Sequence, residues 1–171
     1  MKRIGILTAG GDTPALNATV HGAVVRANQR RVEVYGFIKG YSAVLNPSVP
    51  HVHLNPLFTE IPELAPTRGG TVIGASRAFV DADDRETIAQ IADRLKQLKI
   101  DGLICVGGDG TLNGLQPFAE LFPVVLAPKT IDNDLGLNHR NEPDEWERVP
   151  TDGPCPYKYT LGRSLTRFEL D

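Results

Sequence analysis

The sequence predicts an α/β fold, a doubly wound and mostly parallel sheet with helices on both faces. Three observations predict it. Short apolar runs at residues 3–8, 32–37, 102–107 and 123–127 are separated by stretches with helical spacing. Two of these runs end in glycine pairs, Gly10-Gly11 and Gly107-Gly108, just before a helical stretch. Strands that alternate with helices in this way pair in parallel, because each connection has to cross back over the sheet.

RIGILT, residues 3–8, reads as a buried strand, and Gly10 and Gly11 make the turn after it. A helix follows over residues 15–30, with Leu16, Val20, Ala23, Val24 and Ala27 on one face. VEVYGF, residues 32–37, is the second strand. Residues 39–65 are rich in Pro, Asn and His, which predicts an irregular surface crossing with a short strand near residues 58–61. From Asp84 the period is clearest: Ile88, Ile91, Ala92, Leu95 and Leu98 line one face of an amphipathic helix. GLICVG, residues 102–107, repeats the strand-into-glycine pattern. A second helix is expected from about residue 111 to 121, then a strand at residues 123–127 that runs into PKTIDND at residues 128–134.

With 171 residues, 41% hydrophobic side chains and a net charge of −3, the chain has enough apolar content for one ordinary core, and neither nucleic acid nor a membrane is favoured as partner. The apolar run at the N-terminus is too short for a signal sequence, so a cytoplasmic location is expected. Cys105 lies in an apolar run and Cys155 between two prolines; neither has zinc-ligand spacing to a second Cys or a His, and both are read as free thiols. His51 and His53 alternate in a Pro-flanked loop and are assigned no site.

In a parallel sheet, ligands bind outside the carboxyl ends of the strands. Three polar clusters fall there: AGGDTPALNA (residues 9–18), VGGDGTLNG (residues 106–114) and PKTIDND. Glycines let a backbone approach a ligand closely, and the N–H groups at the following helix starts form an anion site. Phosphate suits such a site, and a carboxylate such as Asp109 beside phosphate suits Mg²⁺. Each glycine turn alone is weak evidence, since any strand-to-helix connection can use one.

Taken together, Gly10-Gly11-Asp12 with Pro14 and Asn17-Ala18, RGGTVIGASR at residues 68–77, GGDGT at residues 107–111 and PKTIDND resemble the N-terminal domain of the 6-phosphofructokinases, which are ATP- or pyrophosphate-dependent. GGDGT by itself also occurs in diacylglycerol and NAD kinases; TIDND narrows the choice. The resemblance covers residues 1–135 and implies a Rossmann-like phosphate-binding domain. It implies further that Gly11 approaches the transferred phosphoryl group and that Tyr41 and Arg77 lie along the nucleotide. Gly108, Asp109, Gly110, Thr111 and Gly114 would line its phosphates, with Asp109 the Mg²⁺ ligand. Asp132 resembles the base that accepts the proton of the sugar 1-hydroxyl, while Thr130 and Asp134 position the sugar and the metal-bound phosphates. Lys129 resembles the lysine that reaches the donor phosphate in pyrophosphate-dependent members. Gly110 points the other way, leaving room for the α-phosphate of ATP where those members carry Asp. Implied partners are ATP and fructose 6-phosphate, with Mg²⁺, in a family whose full-length members are homo-oligomers.

Plainer readings stand beside these. Asp132 and Asp134 are also common turn residues, and Lys129 a common surface charge. Asp12 reads first as the cap of the first helix. For Arg77 two partners remain open, a phosphate or one of Asp81, Asp83 and Asp84. For the chain as a whole, a non-catalytic nucleotide-binding or regulatory module is the alternative to an enzyme.

Past Asp134 the pattern departs from the family. Residues 136–162 are charged and Pro-rich without period and read as an irregular inserted loop. Residues 163–171 begin a helix, Ser164 capping and Leu165 and Phe168 starting its apolar face, and the chain stops within that pattern. The family's downstream sugar-phosphate arginines and second domain have no counterpart in these residues. The donor loops and the base are therefore expected here without a complete active site.

Overall fold

A computed structural model of the chain describes residues 2–78, 80–81, 83–108, 111, 118–119, 121–130, 146–150 and 157–161. The chain divides into two compact units, Met1–Ile131 and Asp132–Asp171.

The first unit holds a sheet built from β1 (Arg3–Ala9), β2 (Glu33–Phe37), β3 (His51–His53), β4 (Ala75–Ser76), β5 (Gly102–Gly107) and β6 (Val124–Pro128). Its strands lie in the order β3-β2-β1-β5-β6, with β4 added beside β1. All pairings are parallel except β2 with β3. Helix α1 (Ala15–Arg30) covers one face, and α2 (Tyr41–Leu45) with α3 (Arg85–Gln97) packs on the other.

Strand alternation makes this layering. In β1, Ile4 and Ile6 face the α1 layer while Leu7 packs with α2 and α3; in β5, Ile104 and Val106 face α1 while Leu103 and Cys105 face the other layer. Neighbouring side chains point to opposite faces, so a strand covered on both sides reads as one continuous apolar run. The expected doubly wound α/β fold is therefore the one observed. Among the described residues no helix is long and apolar enough to cross a membrane.

The clearest predicted helix, α3, buries Ile88, Ile91, Ala92 and Leu95, and Asp84 caps it by accepting the Thr87 N–H at 3.0 Å. The first helix differs from expectation. Asp12 does not cap α1: Pro14 occupies the cap position with no side-chain bond, and the Asp12 carboxylate lies against Gly70. The strand expected near residues 58–61 is also displaced. Pro56–Phe58 form a 3₁₀ turn, and the strand is β3, where Tyr35 of β2 stacks on His53 at 4.6 Å. Of the helix expected over residues 111–121, Thr111, Phe118 and Ala119 are described and helical.

The second unit contains an antiparallel pair, β7 (Trp146–Pro150) and β8 (Tyr157–Leu161), with Trp146 opposite Leu161 and Pro150 opposite Tyr157. This corrects the irregular reading of residues 136–162. The alternation YKYTL was present in the sequence, but prolines and charges around it hid a period only five residues long. Cys155 and the predicted helix start at residues 163–171 lie outside the described residues.

Two positions in the first unit yield direct predictions. Gly40 has φ +59° and ψ −130°, a conformation that side chains avoid, and a Cβ there would run into the Thr8 carbonyl oxygen. Gly40→Ala is expected to cost about 3–5 kcal/mol in urea unfolding, combining backbone strain with an unrelievable contact; a loss under about 1 kcal/mol would show that this turn adapts. Cys105 is fully buried, and burial pushes its thiol up to about 12. The unfolded thiol ionises near 8.5, so the folded chain holds the proton more tightly. This contribution to stability is fully present below about pH 8.5 and falls as pH rises toward 12. In a Cys155→Ser background, native Cys105 should resist a thiol reagent at pH 8 and react only on unfolding. Rapid reaction of the native chain would contradict its burial.

Candidate functional site

The strand order places a topological switch between β1 and β5. From β1 the chain moves to β2 on one side, and from β5 to β6 on the other. A crevice opens at the carboxyl ends of two strands whose connections diverge, and open α/β sheets bind ligands there. The turns after β1 and β5 are the two glycine clusters.

Lys129 joins these turns to the third cluster. Its N–H donates to the Gly107 carbonyl at 2.9 Å, continuing the β5–β6 pairing by one residue. Its side chain then reaches past β5, and Nζ donates to the Gly11 carbonyl oxygen. Lys129 is 8% exposed, and its own carbonyl oxygen would lie 3.3 Å from a Cβ on Gly108. One lysine therefore ties the ends of β1, β5 and β6 together around Gly108. Thr111 closes the β5 turn through its N–H to the Gly108 carbonyl at 3.0 Å, and its side chain covers Gly107 so closely that a Cβ there has no room.

A second set of contacts builds the other wall. β4 takes the edge of β1 that β2 vacates, pairing Thr8 with Ala75 and Ala9 with Ser76. Gly10, with φ +79°, turns its N–H to the Ser76 carbonyl at 3.1 Å. The loop before β4, which includes Arg68-Gly69-Gly70, is held by Asn17. The buried Asn17 amide donates to the carbonyls of Arg68 at 3.0 Å and Gly69 at 3.4 Å and accepts from the Val72 N–H at 2.7 Å. Thr8 adds a bond from its hydroxyl to the Gly74 carbonyl at 2.8 Å. Sequence reading noted Asn17 within a motif but missed its work. The available signal was an amide next to Leu16 on the helix's first buried turn, where a polar group needs partners.

The predicted site residues thus fall into four sets, Tyr41 forming the last. Gly11, Gly108, Thr111 and Lys129 are brought together, and Thr130 follows Lys129 in the chain. Arg77 follows β4 directly, is exposed, and has no ion-pair or hydrogen-bond partner among the described residues. Of its three acidic neighbours, Asp84 is engaged in capping α3 and Asp81 accepts the Asp83 N–H at 3.0 Å. Asp109, Gly110, Gly114, Asp132 and Asp134 lie outside the described residues.

Tyr41 is placed otherwise than the resemblance implies. Its side chain is 2% exposed and packs in the core with Leu7, Phe37 and Val44. Its hydroxyl faces the Cys105 thiol without a hydrogen bond of normal geometry, and desolvation pushes its ionisation far above the usual phenol range. Here burial of a large ring wins over exposure to a ligand.

Comparison with known proteins bears on the fold and the family. The family model described as phosphofructokinase matches residues 3–140. An ATP-dependent 6-phosphofructokinase of Bacillus pumilus is 40% identical over 138 residues, covering 79% of this chain and 41% of the relative. One from Bacillus subtilis is 41% identical with the same coverage. Among solved structures, Pichia pastoris phosphofructokinase in the T-state superposes with a TM-score of 0.63 at 28% identity, over 78% of this chain and 16% of that one. A pyrophosphate-dependent phosphofructokinase from Nitrosospira multiformis has the same TM-score at 20% identity, which speaks for the fold alone. The chain spans about 41% of the length of the curated relatives it matches.

Proposed function

The chain belongs to the phosphofructokinase family, and from that premise we propose that it serves transfer of the γ-phosphoryl group of Mg·ATP to the 1-hydroxyl of fructose 6-phosphate. The observation that supports this best is the Lys129 bond to the Gly11 carbonyl, which gathers the three polar turns at the switch point. Phosphoryl transfer needs alignment and charge neutralisation more than covalent help from the protein.

The turns after β1 and β5 offer backbone N–H groups to the donor phosphates. Lys129 exchanges the Gly11 carbonyl for a phosphate oxygen when the donor arrives, and it supplies a positive charge that does not have to be brought in from solvent. Arg77, without a partner among the described residues, is available to the same phosphates. Asp132 takes the proton of the sugar 1-hydroxyl as that oxygen attacks the γ-phosphorus and the bond to the ADP oxygen breaks. Thr130 and Asp134 position the acceptor. Mg²⁺ keeps most of its waters and takes one or two carboxylates with substrate phosphates, so Asp109, one residue past the Gly108 that Lys129 packs on, is sufficient as its protein ligand. When bound, the ion neutralises charge on the donor phosphates. A cytoplasmic, homo-oligomeric enzyme goes with this reading.

The donor is ATP in this proposal, because Gly110 leaves space where an Asp side chain would meet the α-phosphate. Gly110→Asp should lower ATP use at least tenfold relative to pyrophosphate, and an unchanged ATP rate would remove Gly110 from the choice of donor. Titration calorimetry of the 171-residue chain with Mg·ATP, Mg·pyrophosphate and fructose 6-phosphate tests the wider reading. Saturable Mg·ATP binding supports it, and binding of none of the three overturns it. Binding of Mg·ATP with no turnover in any longer form of the protein favours instead a regulatory nucleotide-binding module.

A further inference from the structure

The amino ends of the parallel strands lie opposite the glycine turns. Because β3 runs antiparallel to β2, the turn after it, Pro56–Phe58, falls at this end of the first unit, beside the last turn of α1. Asn55 fixes it there, donating to Asn28 Oδ1 at 2.8 Å and to the Val32 carbonyl at 2.9 Å, and the Asn28 amide donates to Glu60 at 3.1 Å.

This turn is costly in two ways. Leu57 and Phe58 have φ +56° and +58°, the left-handed conformation that large side chains avoid. They are also 94% and 39% exposed, so the strain presents hydrocarbon to water and does not bury it. The turn is nevertheless held by its own bonds, from the Phe58 N–H to the Asn55 carbonyl at 2.9 Å and from the Thr59 N–H to the Pro56 carbonyl at 3.1 Å. Asn or Gly would adopt the same backbone without strain and without an apolar tip. Strain of this kind collects at sites of contact, since packing alone would select a residue that relaxes it.

The surroundings of the tip are positive. Arg26, Arg30 and Arg31 at the end of α1, Lys2 before β1 and Lys99 before β5 are exposed, and none is in an ion pair among the described residues. The acids at this end are mostly engaged. Glu33 is held by Arg3 and Asp93 by Lys96, Asp101 accepts from the Lys2 and Arg3 N–H groups, and Glu60 accepts from Asn28; Glu63 is the exception among the described residues. The net charge of −3 hides this local excess, because Asp12, Asp81, Asp83 and Asp84 lie at the opposite end of the sheet.

We propose that the amino end of the first unit docks on an anionic lipid surface, Leu57 and Phe58 entering the headgroup boundary while Arg30 and Arg31 meet the lipid anions. Apolar insertion and cationic attraction add in such binding, and each suits one part of this end. A stable protein contact buries about 1,000 Å² or more, and a tip of two side chains offers a fraction of that. A bilayer boundary yields around the tip and needs no matching cavity. The glycine turns, at the other end of the sheet, stay clear of the lipid.

The probe is a vesicle of phosphatidylcholine with about 30% phosphatidylserine, and vesicles of phosphatidylcholine alone are the control. In cosedimentation at low ionic strength the 171-residue chain should half-saturate below about 10 mM lipid on the anionic vesicles. It should bind the neutral ones about tenfold more weakly and leave the anionic ones as salt rises to about 0.3 M. Arg30→Gln with Arg31→Gln should weaken binding roughly 25-fold, about fivefold for each charge removed. Leu57→Asn should weaken it about fivefold while leaving the melting temperature unchanged or higher, because Asn tolerates the left-handed backbone. Lys39→Gln removes the same charge at the carboxyl end of β2 and should change binding less than about twofold. No binding at about 10 mM anionic lipid, equal binding to neutral vesicles, native-like binding by the Leu57→Asn chain, or an equal loss from Lys39→Gln would overturn the proposal. So would ultracentrifugation without lipid in which Leu57→Asn abolishes self-association, since the tip would then be a contact between copies of the chain.

Discussion

Asp132→Asn is expected to lower phosphofructokinase turnover by about 10²–10⁴-fold while changing Mg·ATP affinity by less than about twofold. The two effects separate because the two functions rest on different parts of the chain. In the proposed function donor phosphates meet the turns after β1 and β5, whose geometry is fixed by Gly10, by Thr111 and by Lys129 held between the Gly107 and Gly11 carbonyls. Asp132 comes after β6, and in the proposed chemistry its carboxylate acts only as the acceptor hydroxyl loses its proton. Asn keeps the size and the polarity but accepts no proton, so the loss appears in the transition state and not in the donor complex. A coupled assay on the catalytically active protein reads the first effect, and calorimetry on the 171-residue chain reads the second. Turnover within tenfold of the native value would rule out the base; a large loss of nucleotide affinity would make Asp132 a donor-site residue.

How much of this was legible in the sequence depends on the range of the interactions involved. β1 and β5 were readable because each is covered on both faces, and that condition writes itself as an unbroken apolar run; β6 reads the same way although it is an edge strand with Val125 62% exposed. α3 was readable because one buried stripe and one exposed face repeat every three to four residues, and Asp84 with Thr87 supplied a start signal. The glycine turns announced the carboxyl end of the sheet. What could not be read are contacts between residues far apart in the chain. β4 is two residues long and exists only because β1 leaves Thr8 and Ala9 unpaired on that edge. Asp12 had the spacing of a cap, but Pro14 starts the helix and turns that carboxylate toward Gly70 instead. Tyr41 carries the family's residue type, yet its environment is the core beneath Cys105's strand, which no local pattern discloses. Lys129 could be placed on the strand end by pattern, while its reach to Gly11 depends on β5 lying between β1 and β6.

The same distinction makes Asn17 the position where a loss of stability is expected to come together with a loss of binding. Its side chain is 2% exposed and makes three bonds to one loop, two as donor to Arg68 and Gly69 and one as acceptor from Val72. Asn17→Ala removes all of them and leaves those backbone groups without the amide that paired them, so unfolding free energy should fall by about 2–4 kcal/mol. The better helix propensity of Ala returns only a few tenths of that. The Asn17 N–H bond to the Gly70 carbonyl at 3.0 Å remains, so the loop should loosen without detaching. Amides of residues 68–72 should then exchange faster than in the native chain, relative to global unfolding. Because this loop carries the chain into β4, and β4 holds both Gly10 and the start of Arg77, Mg·ATP binding should weaken as well. Asn55 provides the control that separates the two losses. It is equally buried and also makes three bonds, accepting from the Val34 N–H at 2.7 Å and donating to Asn28 at 2.8 Å and Val32 at 2.9 Å, but at the opposite end of β2 from the glycine turns. Asn55→Ala should match Asn17→Ala in stability and leave Mg·ATP affinity unchanged. Equal loss of nucleotide binding in both variants would mean that global destabilisation, and not the Arg68–Val72 loop, accounts for the effect.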